Sequence, residues 1–329
     1  MKILIIGEQE RSEAYMPDLP IVEEAETVYA EMGTDEAELL ARAQDADVIF
    51  ADAIAKVPGS LIRQMPNLKL IHSEGVGYNG IDVEAASERG IYVCNNRGMN
   101  AGAVAEQTVL LMLGLLRDVA AGHASVRQGR QIQVKQQKMV EGITELADCT
   151  VGLIGFGNIA KATAVRLKPF GCRVVYYNRH RKPEEEEARY GVEYVSLDRL
   201  ARISDIVSIH VAVTPETKGM IGREFLSRMK ETAYFVNTSR GELVDNEAMK
   251  EALEKGRIAG AGFDTIAPEP TTADNPLVAL KEDCPARVLY SPHIGGITKS
   301  SFRRFHLQMW QNAGRVWKGE KPVDIVNDH

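Results

Sequence analysis

The chain has 329 residues, of which 44% are hydrophobic and 26% charged, and its formal net charge is -7 at pH 7. That length exceeds one compact domain and predicts two, each able to bury a core of ordinary size. The mild acidity excludes the broad basic surface that a nucleic acid or an anionic membrane needs, so neither is an expected partner. In chain order, short apolar runs alternate with helical patterns, which marks a parallel α/β architecture. The first strands are expected at 2–6 (KILII), 46–50 (ADVIF), 68–72 (LKLIH) and 91–94 (IYVC). A second series is expected at 150–155, 173–177, 205–211, 233–237, 259–263 and 287–291. Each run is short and apolar, as strands buried on both faces are. Apolar-periodic helices over 101–121 and 298–317 flank the second series. The expected arrangement is therefore a dinucleotide-binding domain at 100–297, a Rossmann doubly wound parallel sheet. It is inserted in a smaller flavodoxin-like α/β substrate domain built from 1–99 and 298–329.

Other features narrow the setting. Cys94, Cys149, Cys172 and Cys284 lie far apart, without the paired spacing of a zinc site or a disulfide framework, and read as free thiols in a reducing cytoplasm. No metal is expected. The apolar run Ile3 to Ile6 is too short for a signal-peptide core, and VLLMLGLL at 109–116 is far below a membrane span. Glu184 to Glu187 after Pro183 fits a helix start, where carboxylates favour the macrodipole.

Between the first two strands of the second series stands Gly155-Phe156-Gly157-Asn158-Ile159-Ala160, a G-x-G-x-x-G/A pattern with alanine third. It follows an apolar strand and opens a helix, which is the context a dinucleotide loop requires. Gly155 makes the tight turn, and Gly157 lets the backbone approach a pyrophosphate. The helix start at Asn158 and Ile159 supplies amide donors and positive potential. An NAD site usually carries an acid about 20 residues further on. Here the corresponding position is Asn178, followed by Arg179, His180, Arg181 and Lys182. Without the carboxylate, a 2'-phosphate is not repelled, and Arg179 and Arg181 offer charge-assisted hydrogen bonds to it. One such contact corresponds to about tenfold or more preference for NADP over NAD. The competing reading has these cations balancing Glu184 to Glu187 as a solvated loop, with NAD then the cofactor.

Seven segments together resemble the D-isomer-specific 2-hydroxyacid dehydrogenases, a family that includes glyoxylate and hydroxypyruvate reductases and phosphoglycerate dehydrogenases. They are EGVGYNGID, NAGAVAEQTVLLML, GLIGFGNIA, HVAVTPETKGMI, VNTSRGELVD, AGFDTIAPEP and SPHIGG, in this order between residues 74 and 296, and the resemblance covers essentially the whole chain. The chemistry is readable from the residues as well. Reduction of a 2-keto acid needs a cation for the carboxylate, an acid for the carbonyl oxygen and a group that orients that acid. Arg240 follows a strand and can grip a carboxylate in two places, though an isolated arginine there also suits a surface salt bridge. His293 sits between Pro292 and two glycines, and Glu269 lies between Pro268 and Pro270. If Glu269 is buried beside His293, its charge raises the imidazole pKa and orients the ring. Matched to the family motifs, Arg240, Glu269 and His293 are implied to be the catalytic trio.

The resemblance further implies that backbone amides around Val76 and Gly77 help to bind the substrate carboxylate. Asp264 is implied to hold the nicotinamide carboxamide, with Thr238 and Ser239 near the cofactor and His210 beside the site. It implies a homodimer, in which the polar segment 127–138 is either an arm or a solvated loop. The expected activity is hydride transfer between a nicotinamide cofactor and a small-molecule 2-keto or D-2-hydroxy acid, with neutral His293 as base in the oxidative direction. Glu269 stands where relatives acting on formate tend to carry an amide, which argues against formate. The alternative is a protein that senses NAD(P)(H), similar to corepressors on the same fold.

Overall fold

The computed structural model of the chain describes residues 1–327. It divides into two compact units: Met1–Asn100 with the chain from Ile297 onward, and Ala101–Gly296. In the first unit, β1 (Lys2–Ile6), β2 (Glu26–Ala30), β3 (Val48–Ala51), β4 (Leu70–Ser73) and β5 (Tyr92–Cys94) form a parallel sheet in the order β2-β1-β3-β4-β5. That order is the flavodoxin-like one. Its central strands are buried on both faces, with alternate residues serving alternate faces. Ile3, Ile5, Val48, Phe50 and Leu70 pack against Met309, Trp310, Ala313 and Val316 of the helix Lys299–Trp317. Leu4, Ile6, Ile49 and Ile71 face Leu39, Ala43, Leu61 and Ile62 on the other side.

The second unit holds β6 (Thr150–Ile154), β7 (Arg173–Tyr177), β8 (Val192–Tyr194), β9 (Ile206–Ile209), β10 (Tyr234–Asn237), β11 (Gly260–Phe263) and β12 (Arg287–Tyr290). All pair in parallel, in the order β12-β11-β10-β9-β6-β7-β8. Chain order reverses between β6 and β9, which places a switch point at the carboxyl ends of those strands, where doubly wound sheets bind ligands. Leu153, Tyr176 and Val236 turn toward Met112, Leu115 and Ala164, and Ile154, Val207 and Phe235 toward Leu200, Met249 and Leu253.

The expected fold class is the observed one. Three local expectations change. Strands β2 and β8 were not expected from the sequence; both are sheet edges, and β2 is only partly buried. The expected helix 101–121 stops at Arg117, because Asp118 adopts a left-handed conformation with φ 53° before a new helix, Val119–Arg127. Within the polar 127–138 segment, a loop reading gives way to the helix Gln131–Glu141. Among the described residues no single helix is long and apolar enough to cross a membrane, and no cluster of His, Cys, Asp or Glu could hold a metal ion. All four cysteines are free thiols. Burial pushes the Cys94 and Cys149 thiols up to about 12 and about 11, so both are poor nucleophiles.

Candidate active site

The loop after β6 is shaped by two glycines with different reasons. Gly155 has φ +90°, and a Cβ there would stand 2.7 Å from the His210 carbonyl oxygen at the end of β9, so no side chain is tolerated. Gly157 instead faces open space, since nothing among the described residues lies within 4 Å of where its Cβ would be. It caps the helix Asn158–Leu167 in an extended conformation. The first-turn amides of Asn158 and Ile159 have no carbonyl of their own helix to bond. Ala160 is fully buried and lets the helix lie close to the sheet. An open backbone at a helix N-terminus is what a pyrophosphate needs, and these residues fit a dinucleotide. Among the neighbours, His210 has a partly buried ring whose Nε2 meets Ser208 Oγ at 2.9 Å, and desolvation lowers its pKa to about 3. Ser239 donates its hydroxyl to the Ile209 carbonyl at 2.9 Å. Thr108 donates to Val104, so its hydroxyl accepts from Thr238 at 2.8 Å.

At the end of β7, Asn178 ties the loop to the glycine turn. Its Oδ1 accepts from the Phe156 amide at 3.4 Å and its Nδ2 donates to the His180 carbonyl at 2.9 Å. The two arginines then part company. Arg181 forms a two-pronged pair with Glu187, at 2.9 and 2.8 Å, and the Tyr176 hydroxyl donates to the same carboxylate at 2.7 Å. Arg181, with the Tyr176 bond, holds Glu187 down to about 2. This amends the expectation for Arg181: its guanidinium is committed to an internal carboxylate, as the charge-balancing reading has it. Arg179 is exposed and makes no hydrogen bond or ion pair among the described residues.

Arg240, Glu269 and His293 all lie in the second unit, on loops at the carboxyl ends of its strands. Arg240 follows β10 and is exposed, with Nη1 donating to the Ser239 carbonyl at 2.8 Å. Next to it, Gly241 packs so tightly on the backbone of 266–267 that a Cβ would fall 2.0 Å from the Ala267 nitrogen. That contact sets the Arg240 turn against the segment leading to Glu269. Glu269 Oε2 accepts from His293 Nδ1 at 2.8 Å. The burial considered for this pair is not found, because the two side chains remain 43% (His293) and 45% (Glu269) exposed. The hydrogen bond still fixes the ring and leaves Nε2 as the nitrogen open to a reactant.

His293 itself has φ 54°, a left-handed conformation uncommon for a side-chain-bearing residue. Asp264 holds that turn. Its Oδ1 accepts from the Ile294 amide at 3.0 Å and the Ser291 hydroxyl, and its Oδ2 accepts from the Gly295 amide at 2.9 Å. Gln107 adds a hydrogen bond to Ser291 at 2.8 Å. For Asp264 the resemblance implies a cofactor ligand, and the residue type by itself suits a helix or turn cap. Its bracing of the His293 turn, and the parts of Ser291 and Gln107, depend on contacts too distant in sequence to be foreseen.

Val76 and Gly77 lie in the first unit, directly after β4. The carbonyls of this loop are all engaged: Gly75 accepts from the Asn96 amide at 2.9 Å, Val76 from Asn95 Nδ2 at 2.8 Å, and Gly77 from the Ser73 hydroxyl. The amides of Val76 and Gly77 donate to no group among the described residues. Two adjacent free N–H groups make a concavity suited to an anion.

Fold and loops together define an α/β protein with a dinucleotide-type sheet and, in the same unit, an acid–histidine pair and an exposed arginine. Residues 109–295, more than half of the chain, match the model of the D-isomer specific 2-hydroxyacid dehydrogenase NAD binding domain. The chain is 38% identical over 291 residues to a glyoxylate reductase of Thermococcus litoralis, covering 88% of this chain and 86% of that one. Among solved structures it resembles the TT0316 protein from Thermus thermophilus, with a TM-score of 0.83, 31% identity and coverage of 99% and 100%. It also resembles a D-lactate dehydrogenase from Aquifex aeolicus complexed with NAD and lactic acid, with a TM-score of 0.81, 29% identity and coverage of 97% and 96%. The chain belongs to the D-isomer specific 2-hydroxyacid dehydrogenase family, and its second unit contains the family's NAD-binding domain.

Proposed function

We propose that this chain transfers a hydride between a nicotinamide cofactor and a small 2-keto acid, with the D-2-hydroxy acid on the other side of the reaction. The observation that carries this reading is the His293–Glu269 pair at 2.8 Å, held in the same unit as Arg240 and the glycine loop. When bound, the nicotinamide supplies or accepts the hydride at its C4. Arg240 binds the substrate carboxylate and draws electron density toward it; in the first unit, the free amides of Val76 and Gly77 are carboxylate donors in their own right. His293 Nε2 gives a proton to the developing alkoxide oxygen, while Glu269 Oε2 holds Nδ1 and fixes the orientation of the ring. In the oxidative direction the neutral ring takes that proton back. Asp264 keeps the His293 turn in place and has lone-pair capacity left on Oδ2 for the nicotinamide carboxamide.

NADP is the proposed cofactor. The support is the absence of an acid at Asn178 together with the exposed, unbonded Arg179; Arg181 contributes by holding the loop through Glu187. The proposed substrate is a small keto acid of the glyoxylate or hydroxypyruvate kind, in keeping with the relatives' names. A homodimer is proposed through the helices Val119–Arg127 and Gln131–Glu141, whose Val126, Ile132, Met139 and Val140 stand exposed. The free thiols suit a reducing cytoplasm.

The test is a set of initial rates with glyoxylate, hydroxypyruvate, pyruvate and branched 2-keto acids, each with NADPH and NADH, followed by loss of reduced-nicotinamide absorbance. Turnover that favours NADPH supports the whole reading. Turnover that favours NADH removes the 2'-phosphate assignment, and no turnover on any keto acid removes the enzymatic reading.

A further inference from the structure

A second acid–histidine pair lies in the first unit, apart from the residues assigned above. Glu74 is the residue between β4 and the Gly75–Gly77 loop, and every polar group it has is held. Its amide donates to the Ala51 carbonyl at 2.7 Å, and its carbonyl accepts from Asn96 Nδ2 at 2.8 Å. Its Oε1 accepts from Arg11 Nε at 3.1 Å and from His306 Nε2 at 2.9 Å, and its Oε2 accepts from Arg11 Nη2 at 2.6 Å. Arg11 also bonds Asp52. The side chains of Glu74 and His306 are only 9% and 4% exposed, and His306 Nδ1 is buried without a partner among the described residues. An N-terminal helix, a strand end and the C-terminal helix thus converge on one residue.

We propose that Glu74 is a positioning residue for the Gly75–Gly77 loop, clamped by Arg11 and His306 so that the Val76 and Gly77 amides stay presented to a substrate carboxylate. This rests on the reading that those amides bind that carboxylate. Two physical effects act together. The clamp removes the freedom of the residue that starts the loop, so the amides need not be ordered when substrate binds. Arg11 also neutralises a carboxylate that adjoins the anion-binding amides and would otherwise repel an incoming acid in a medium of low dielectric. Positioning and plain electrostatics make opposite forecasts for Glu74→Gln. Removing a negative charge strengthens anion binding on electrostatic grounds alone, whereas loosening the loop weakens it.

The experiment measures kcat and KM for glyoxylate and for the preferred reduced nicotinamide in Glu74→Gln, Arg11→Met, Arg11→Lys and Val76→Pro, with thermal midpoints alongside. Expected are glyoxylate KM values raised about tenfold in Glu74→Gln and Arg11→Met, the loss of roughly one charged hydrogen bond. Expected too are kcat within about twofold, an unchanged nicotinamide KM, and partial recovery in Arg11→Lys. Val76→Pro, which lacks the amide hydrogen, also raises the glyoxylate KM. Wild-type KM values in Glu74→Gln and Arg11→Met beside a raised value in Val76→Pro overturn the positioning role and leave the amide reading standing. A wild-type KM in Val76→Pro overturns the amide reading and the proposal with it. Equal losses toward both substrates, with a lowered thermal midpoint, assign the cluster to stability alone and overturn the proposal.

Discussion

Among the described residues there are two glutamate–histidine pairs of nearly equal length, Glu269–His293 at 2.8 Å and Glu74–His306 at 2.9 Å, and they differ in almost everything else. The first is half exposed, sits on loops, and uses Nδ1 for the contact so that Nε2 is open. The second is sealed, joins a strand end to a helix, and spends Nε2 on the carboxylate. A proton can be exchanged with a reactant only at an open nitrogen, so the first pair suits chemistry and the second suits support. Identical residue types thus take different roles according to which ring nitrogen is committed and whether the other can be reached.

The largest effect expected is on His293. His293→Asn lowers kcat for keto-acid reduction about 10²- to 10⁴-fold with the nicotinamide KM little changed, because the proton donor is removed while the cofactor loop is intact. Steady-state kinetics over both substrates checks this, and a loss confined to the nicotinamide KM would place His293 in cofactor binding instead. Glu269→Gln keeps the shape of the partner and removes its charge. A loss of about 10- to 100-fold in kcat is expected, the value of one charged hydrogen bond realised in the transition state.

Desolvated histidines extend the contrast to stability. His72 and His210 have pKa values lowered by desolvation to about 4 and about 3. In the unfolded chain these rings take up protons as pH falls through about 6.5, while the folded ones do not. The unfolded state then binds more protons, so stability is full above about pH 6.5 and falls as the pH drops toward about 4. Each contributes a loss of roughly 2 kcal/mol at about pH 5. A thermal-midpoint series across this range reads it, and His72→Gln is expected to make the slope shallower. A flat profile would mean that these rings are hydrated in solution. The smallest effect separates the two arginines after β7. Arg179→Ala lowers the NADPH over NADH preference about tenfold, whereas Arg181→Met lowers the thermal midpoint and leaves the preference in place.

The proposed catalytic trio and the glycine loop can be picked out in the sequence because each lies in a short motif whose chemistry is local. Both sheets were legible for the same reason, since their central strands are continuous apolar runs. Strands β2 and β8 were not, because an edge strand such as Glu26–Ala30 is only partly buried and carries a mixed pattern. The helix break at Asp118 has no glycine or proline to announce it. Arg181 looks in sequence like a partner of Arg179, and only the fold of the helix after Pro183 turns Glu187 inward to take it. The Glu74–His306 contact joins residues 232 apart, and nothing near either one signals the other. What the sequence withholds is the support of the site, because support is made by long-range contacts between residue types that are common everywhere.

The distinction between the two pairs is tested at its centre by the single-turnover rate of hydride transfer at saturating keto acid, measured by stopped flow for Glu269→Gln and Glu74→Gln side by side. A slowed chemical step is expected in Glu269→Gln and a wild-type step in Glu74→Gln, whose defect lies in binding alone. Equal slowing of the chemical step in both variants would contradict the division into a chemical pair and a supporting one.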